Sequence, residues 1–375
     1  MDQETLYKEL GKINFEMTPD DRIREYLKGN RVDCIPNGFR NPGDAMAAMW
    51  GISKGELHRS FDARVELTRR MAEEYGIKEI NISLGLRGLG EAVGSIVKYP
   101  ENRTDYVEKG ILQDYKDICI LDDFRVSKSK LVGKVEEAKK MKKIFPDFPF
   151  ATNVAGPLST AISIRPMEMV LKDFVKNKKC VNRLLDFSVD ATLRWVKYFH
   201  SETGCTKVGI ADPVTTTDIL GRRYFEQYSK EYLRKLIIGI KSITGNKPAV
   251  HICGHSEKIW NDFAEIGIDN LSIDNCESLE NAKKKIGDKM FIAGNIPPVD
   301  VMRMGTIDDV IKAVRKSIEE GADSPKGFMV TTGCQVPIGT PKQNFDASIY
   351  ASYIYGKDAV IGKKPESLGL FKGNE

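Results

Sequence analysis

The sequence predicts an α/β protein: a (β/α)8 TIM barrel, residues 76–375, preceded by an N-terminal helical extension, residues 1–75, packed on it. Three observations carry this. From about residue 78, short β-rich runs alternate with amphipathic helical stretches. Before that point the chain reads as mainly helical. Reactive side chains cluster just past the ends of the strand candidates, where parallel barrels build their sites.

The extension declares itself at Thr18-Pro19-Asp20-Asp21. Thr is an N-cap, Pro suits the first turn, and the acids complement the positive helix end. Gly29-Asn30 stops that helix. The strand candidates are Glu79–Ser83, Ile118–Leu121, Phe150–Val154, Lys207–Ala211, Ala249–Ile252, Asn270–Ile273, Met290–Ala293 and Gly327–Thr331. Helical patterns fall between them at Val135–Ile144, Met167–Phe199, Tyr224–Ile243, Ser256–Ile266, Leu279–Ile286, Ile307–Glu320 and Gln343–Tyr355. Alternation of this kind specifies a parallel sheet covered by helices. The long Gly85–Lys116 connection reads as an insertion or an embedded helix.

The composition narrows function. The net charge is +4 with 29% charged residues, both signs interspersed. That leaves no basic stripe for nucleic acid. No apolar run reaches the ~18 residues a membrane span needs. The N-terminus is charged from Asp2 and has no signal-peptide core, so a cytoplasmic location is expected. Seven cysteines without disulfide-like spacing are expected as core residues, metal ligands or nucleophiles. Cys34, Cys119, Cys180 and Cys205 have no partner pattern and read as packing.

The strand ends hold the chemistry. They carry Asp212-Pro213, His251-Ile252-Cys253-Gly254-His255, Asp274-Asn275-Cys276, Gly294-Asn295 and Gly333-Cys334-Gln335-Val336-Pro337. His251 and Cys253, two apart on a strand end, face one side. With Cys334 they make three N/S ligands and leave a fourth position open, the pattern of a catalytic zinc site. The same spacing also suits small core thiols and a hydrogen-bonded core histidine. His255 reads as a loop or N-cap residue. Asp212 is either a turn former or a site carboxylate. Asp274 and Cys276 share a face and could contact metal or substrate. A competing motif, Gly88-Leu89-Gly90-Glu91-Ala92-Val93-Gly94, has the form of a weak dinucleotide loop.

These residues resemble a known group, the uroporphyrinogen decarboxylase superfamily and within it the methylcobalamin:coenzyme M methyltransferase branch. TPDDRIREYLKGNRVDCIP resembles the family's N-terminal helix and following Asp-x-x-Pro. Ala155-Gly156-Pro157-Leu158, Ala211-Asp212-Pro213, Gly294-Asn295 and Thr340-Pro341-Lys342-Gln343-Asn344 fall where the family has equivalents. Most specific is HICG at His251–Gly254 paired with GCxxP at Gly333–Pro337. The resemblance implies that His251, Cys253 and Cys334 bind Zn2+. It implies methyl transfer between a corrinoid (methylcobalamin), presented by a corrinoid-binding partner protein, and a small-molecule acceptor. That acceptor is expected to be a thiol such as coenzyme M, held at the open zinc position. Asp212, Asp274 and Asn295 are the expected contacts around metal and substrate. The decarboxylases carry an arginine-rich RQAGRY-type segment; here NGFRNPGDAMAAMW offers Arg40 alone, which argues against porphyrinogen decarboxylation. The alternatives are a cofactor-free decarboxylase and a non-enzymatic corrinoid- or tetrapyrrole-binding protein.

Overall fold

The computed structural model describes residues 1–369. Seven parallel strands form its main sheet: β1 Ile80–Asn81, β2 Phe150–Ala155, β3 Lys207–Ala211, β4 Ala249–Ile252, β5 Asn270–Ile273, β6 Phe291–Ile296 and β7 Phe328–Thr332. Strand order follows chain order throughout. The α/β class and TIM-barrel topology expected from the sequence are those of the molecule.

One strand is corrected. Ile118–Leu121 is not β structure but lies within a 3-10 helix, Tyr115–Asp123, capped by the Asp114 carboxylate. Ile118 and Leu121 are buried while Cys119 and Ile120 face solvent. Burial spaced by three residues follows a helical repeat, whereas a strand would bury every second residue.

Two compact units make up the chain. One holds Lys78–Ile252 and Asn261–Ile268. In it β1 to β4 pair in parallel, with Ile80 opposite Phe150, Asn153 opposite Gly209 and Ala211 opposite His251. The long pattern Met167–Phe199 resolves into helices Met167–Lys176 and Lys178–Thr203, broken at Asn177. The second helix buries Leu184, Leu185, Trp195, Val196 and Phe199 on one face. The Gly88–Gly94 motif forms a six-residue helix, Gly88–Val93. A Cβ on Gly90 would stand 2.4 Å from the Ser163 carbonyl oxygen, so the glycine is required for close packing of two helices.

The other unit holds Met1–Ile77, Cys253–Trp260 and the chain from Asp269 onward. In it β5, β6 and β7 pair in parallel, with Asn270 opposite Phe291 and Phe328 opposite Ile292. The outer edge of β7 is also paired: the Gly38 amide donates to the Val330 carbonyl (2.9 Å) and the Val330 amide to the Pro36 carbonyl (2.9 Å). The resulting Asn37–Val330 bridge is parallel, so a few residues of the early chain act as an eighth strand. The strand Val32–Cys34 pairs antiparallel with Lys357–Ala359.

The early chain is fixed by charge as well. Thr18 caps the helix Pro19–Leu27 by accepting from the Asp21 amide, as its sequence predicts. From that helix Arg22 reaches Asp33, with Nε 2.6 Å from Oδ1 and Nη2 2.9 Å from Oδ2. Both side chains are buried. Asp33 also accepts from the amides of Glu16, Met17 and Cys34. Burial alone would raise its carboxyl, but the Arg22 guanidinium and these amides hold it below the usual carboxylate range. The Asp of Asp-x-x-Pro is therefore half of a buried, fully bonded ion pair.

Candidate metal centre

Strand β4 ends at Ile252, so His251 lies on the strand and Cys253 on the first residue beyond it. His251 is buried; Cys253 and Cys334 are half-buried. The two sulfurs stand 3.5 Å apart, and a ring nitrogen of His251 and both sulfurs lie within 4.8 Å of one another. Two thiolates at ~2.3 Å from one tetrahedral zinc would be roughly 3.8 Å apart. The sulfur pair fits that spacing, and one imidazole with two thiols is a donor set zinc takes. The residues present therefore fit a zinc ion with one position left for another ligand.

The glycines of the two motifs set this geometry. Gly254 has φ +71° and turns its amide onto Asp274 Oδ2 at 2.9 Å. In this left-handed conformation glycine carries no steric penalty. At Gly333 a Cβ would meet the Asn275 amide nitrogen at 2.4 Å, so only glycine lets the two loops approach. The Thr332 hydroxyl donates to the Cys334 carbonyl at 2.8 Å and fixes the second ligand loop.

Cys253 differs from Cys34 and Cys205, whose thiols are raised by burial first. The Cys253 thiol is pushed up, first by its hydrogen bond with Cys334, then by burial and by the charges of Cys334 and Asp274. Two thiolates this close need a cation to coexist. Arg40 opposes the shift. Its guanidinium is itself lowered by burial to about 10, with Cys253 and Cys334 acting the other way. Of the remaining cysteines, Cys34 and Cys205 are buried as the packing reading expects, Cys180 is half-buried, and Cys119 is exposed, which corrects that reading.

The expected surrounding residues separate into two groups. Asp274 lies beside the thiols, but its oxygens are engaged: Oδ2 accepts from Gly254 and Oδ1 from the Cys276 amide (3.3 Å). Asn295 donates to the carbonyls of Asp274 (3.0 Å) and Glu277 (2.7 Å), holding that turn. Cys276 and His255 are exposed, His255 in the loop before the turn Glu257–Ile259. Asp212 shares the β3–β4 ladder with His251, donating its amide to the His251 carbonyl (3.2 Å). Its carboxylate is fully buried and points to the helix Pro157–Ile164. It accepts from the amides of Leu158 (3.3 Å) and Ser159 (2.9 Å) and from the Ser159 hydroxyl (2.6 Å). Burial nevertheless raises its carboxyl above the usual range. Asp212 thus opens the local turn Pro213–Thr215, whose Thr215 amide donates to its carbonyl at 3.0 Å, as the turn reading expects, while its carboxylate caps a helix remote from it in sequence.

Two residues escaped the sequence reading. Glu277 is buried and accepts from the amides of Ser256 and Glu257 and from the Ser256 hydroxyl, pinning the chain after the ligand motif. An acid directly after a cysteine carries no signal of that role. Arg40 was visible as a lone arginine but not as a neighbour of the thiols.

Comparison with known proteins agrees with the architecture. Methylcobamide:CoM methyltransferase MtaA of Methanosarcina barkeri is 26% identical over 345 residues, 90% of this chain and 98% of that protein. Methylcobamide:CoM methyltransferase MtbA of Methanosarcina acetivorans is 22% identical over 91% of this chain and 99% of its own length. A uroporphyrinogen decarboxylase of Mannheimia succiniciproducens is 25% identical over 52% of this chain. A solved methyltransferase from Methanosarcina mazei shares the fold with a TM-score of 0.75, 24% identity, and coverage of 90% of this chain and 98% of that one. The uroporphyrinogen decarboxylase (URO-D) family profile matches residues 18–353, nearly the whole chain, and the protein belongs to that family.

Proposed function

We propose that the protein is a zinc-dependent methyltransferase that moves a methyl group between a corrinoid carrier protein and a small thiol acceptor, coenzyme M or a related thiol. The observation that carries this is the convergence of His251, Cys253 and Cys334 within 4.8 Å. The names of the full-length relatives MtaA and MtbA support the choice of reaction. A zinc ion on these three side chains would supply a Lewis acid that lowers the pKa of an acceptor thiol.

The chain's own residues hold the frame. Asp274 fixes the Cys253 loop through the Gly254 amide, and Asn295 fixes the Asp274 turn. Thr332 fixes the Cys334 carbonyl. Asp212 holds the start of the helix Pro157–Ile164 while its amide donates to the His251 carbonyl. Such supports keep ligands within the few tenths of an ångström that positioning requires. A cytoplasmic location is part of the proposal; among the described residues no helix is long and apolar enough to cross a membrane.

The test pairs metal analysis with an assay. Protein purified without chelator is expected to hold about one zinc per chain. It is expected to methylate a thiol from methylcobalamin, and to lose that activity on chelation and regain it with zinc. Full activity in metal-free protein would overturn the reading. Release of CO2 from a porphyrinogen, with no thiol methylation, would establish the decarboxylase alternative instead.

A further inference from the structure

Strands β2 and β3 turn one face to the covering helices and the other to the barrel interior. Trp195, on the helix Lys178–Thr203, donates from Nε1 to Thr152 Oγ1 at 3.3 Å. Thr152 and Val154 therefore face the helices, and Asn153 and Ala155 face inward. The register carries this across the sheet. Ala155 lies opposite Ala211 and Ala211 opposite His251, one inner layer at the strand ends. One layer deeper, Asn153 lies opposite Gly209. The Leu84 amide donates to the Asn153 carbonyl at 2.9 Å, which sets Ser83 beside it. Barrels of this type fill such layers with Val, Ile and Leu. Among these residues the largest apolar side chain is alanine. Ser83 is exposed, and Asn153, Gly209 and Ala211 are half-buried. The inner face beside and below His251 is thus open space.

Asn153 is fitted into that space. A Cβ on Gly209 would stand 2.2 Å from Asn153 Oδ1, so only glycine lets the amide lie across β3. Its Nδ2 donates to Asn81 Oδ1 at 3.2 Å, and among the described residues its Oδ1 accepts no hydrogen bond. The methyl donor, a protein-bound corrinoid, is too bulky to enter a barrel and meets the acceptor sulfur from the open strand ends. The acceptor's tail then has the interior left to it. One layer is two residues deep, about 6.6 Å at the rise of a parallel strand. A two-carbon chain and one hydrogen bond span that interval. We infer that the inner face of β2 and β3 seats the acceptor's tail, and that Asn153 selects a short thiol whose chain ends in a hydrogen-bonding group over one that ends in a methyl group. The inference rests on the proposed methyl transfer and narrows its acceptor.

The test uses the full-length protein loaded with Co2+, whose visible spectrum reports a bound sulfur ligand. Two uncharged probes of equal chain length are titrated, 2-mercaptoethanol and 1-propanethiol. Wild type is expected to bind 2-mercaptoethanol about fivefold or more tightly than 1-propanethiol. Asn153→Leu is expected to keep the cobalt and the 1-propanethiol affinity and to lose that preference. Ala211→Leu fills the layer beside His251 and is expected to keep the cobalt while weakening both probes about tenfold or more. A preference that persists in Asn153→Leu overturns the inference. So does an equal loss of both probes in that variant, which would make Asn153 a support of the sheet. Equal affinities in wild type, or unchanged binding of both probes in Ala211→Leu, overturn it as well. Wild type that takes up no cobalt would overturn the metal-dependent reading itself, and the inference with it.

Discussion

The two buried carboxylates, Asp33 and Asp212, and the two thiols, Cys253 and Cys334, are opposite solutions to withdrawing charge from water. Asp33 is answered by Arg22 and three amides, and Asp212 by two amides and a hydroxyl. Each lies in a closed set of partners. The thiols lie 3.5 Å apart and, with His251, offer three donor atoms within 4.8 Å of one another. Closed sets of partners build the frame, and a donor set with the chemistry of a metal site marks where something else is to bind.

The sharpest way to break this contrast is to remove a satisfied partner. Arg22→Met strands the buried Asp33 charge and is expected to cost about 3–5 kcal/mol of stability. Denaturant unfolding checks this, and zinc content per folded chain should not change. Cys334→Ser should do the reverse: methyl transfer from methylcobalamin falls about 100-fold or more and zinc is lost, while the metal-free stabilities of variant and wild type stay within about 1 kcal/mol. A large drop in its unfolding midpoint would show the thiols to be core residues after all. Ser159→Ala removes one bond to Asp212 and is expected to cost about 1.5–3 kcal/mol, with the zinc site intact.

The smallest effect is one of pH. The folded-state carboxyl of Asp33 is depressed, so its contribution is fully present above the ordinary carboxylate range and is lost as pH falls through the folded value. The stability gap between wild type and Arg22→Met should therefore narrow on acidification below about pH 4. A gap that stays constant to low pH would show that Arg22 acts through packing alone.

The sequence shows the frame more clearly than the centre. Lys207–Ala211, Ala249–Ile252 and Asn270–Ile273 are strands with the expected bounds, because their apolar runs are short and cleanly interrupted. Ile118–Leu121 misleads because four β-prone residues say nothing about which of them are buried. The Asn37 bridge is invisible because Pro36-Asn37-Gly38 has no strand character and is held by pairing with Val330. At the centre, the HxC spacing indicates a ligand pair, and Cys334 joins it through the topology of the sheet. The partners of Asp212, Glu277 and Arg40 depend on tertiary approach, which periodicity cannot express.

The Asn37–Val330 bridge ties one of the earliest parts of the chain to one of the latest. At ~5–20 residues per second, a ribosome would need roughly 15–60 s between making the two. Throughout that interval the early segment lacks its seat. A newborn chain is thus open to proteolysis and mispairing at that segment until Val330 is made. Cys334 follows Val330 by four residues, so the candidate metal donor and the strand that seats the early segment are made at nearly the same moment.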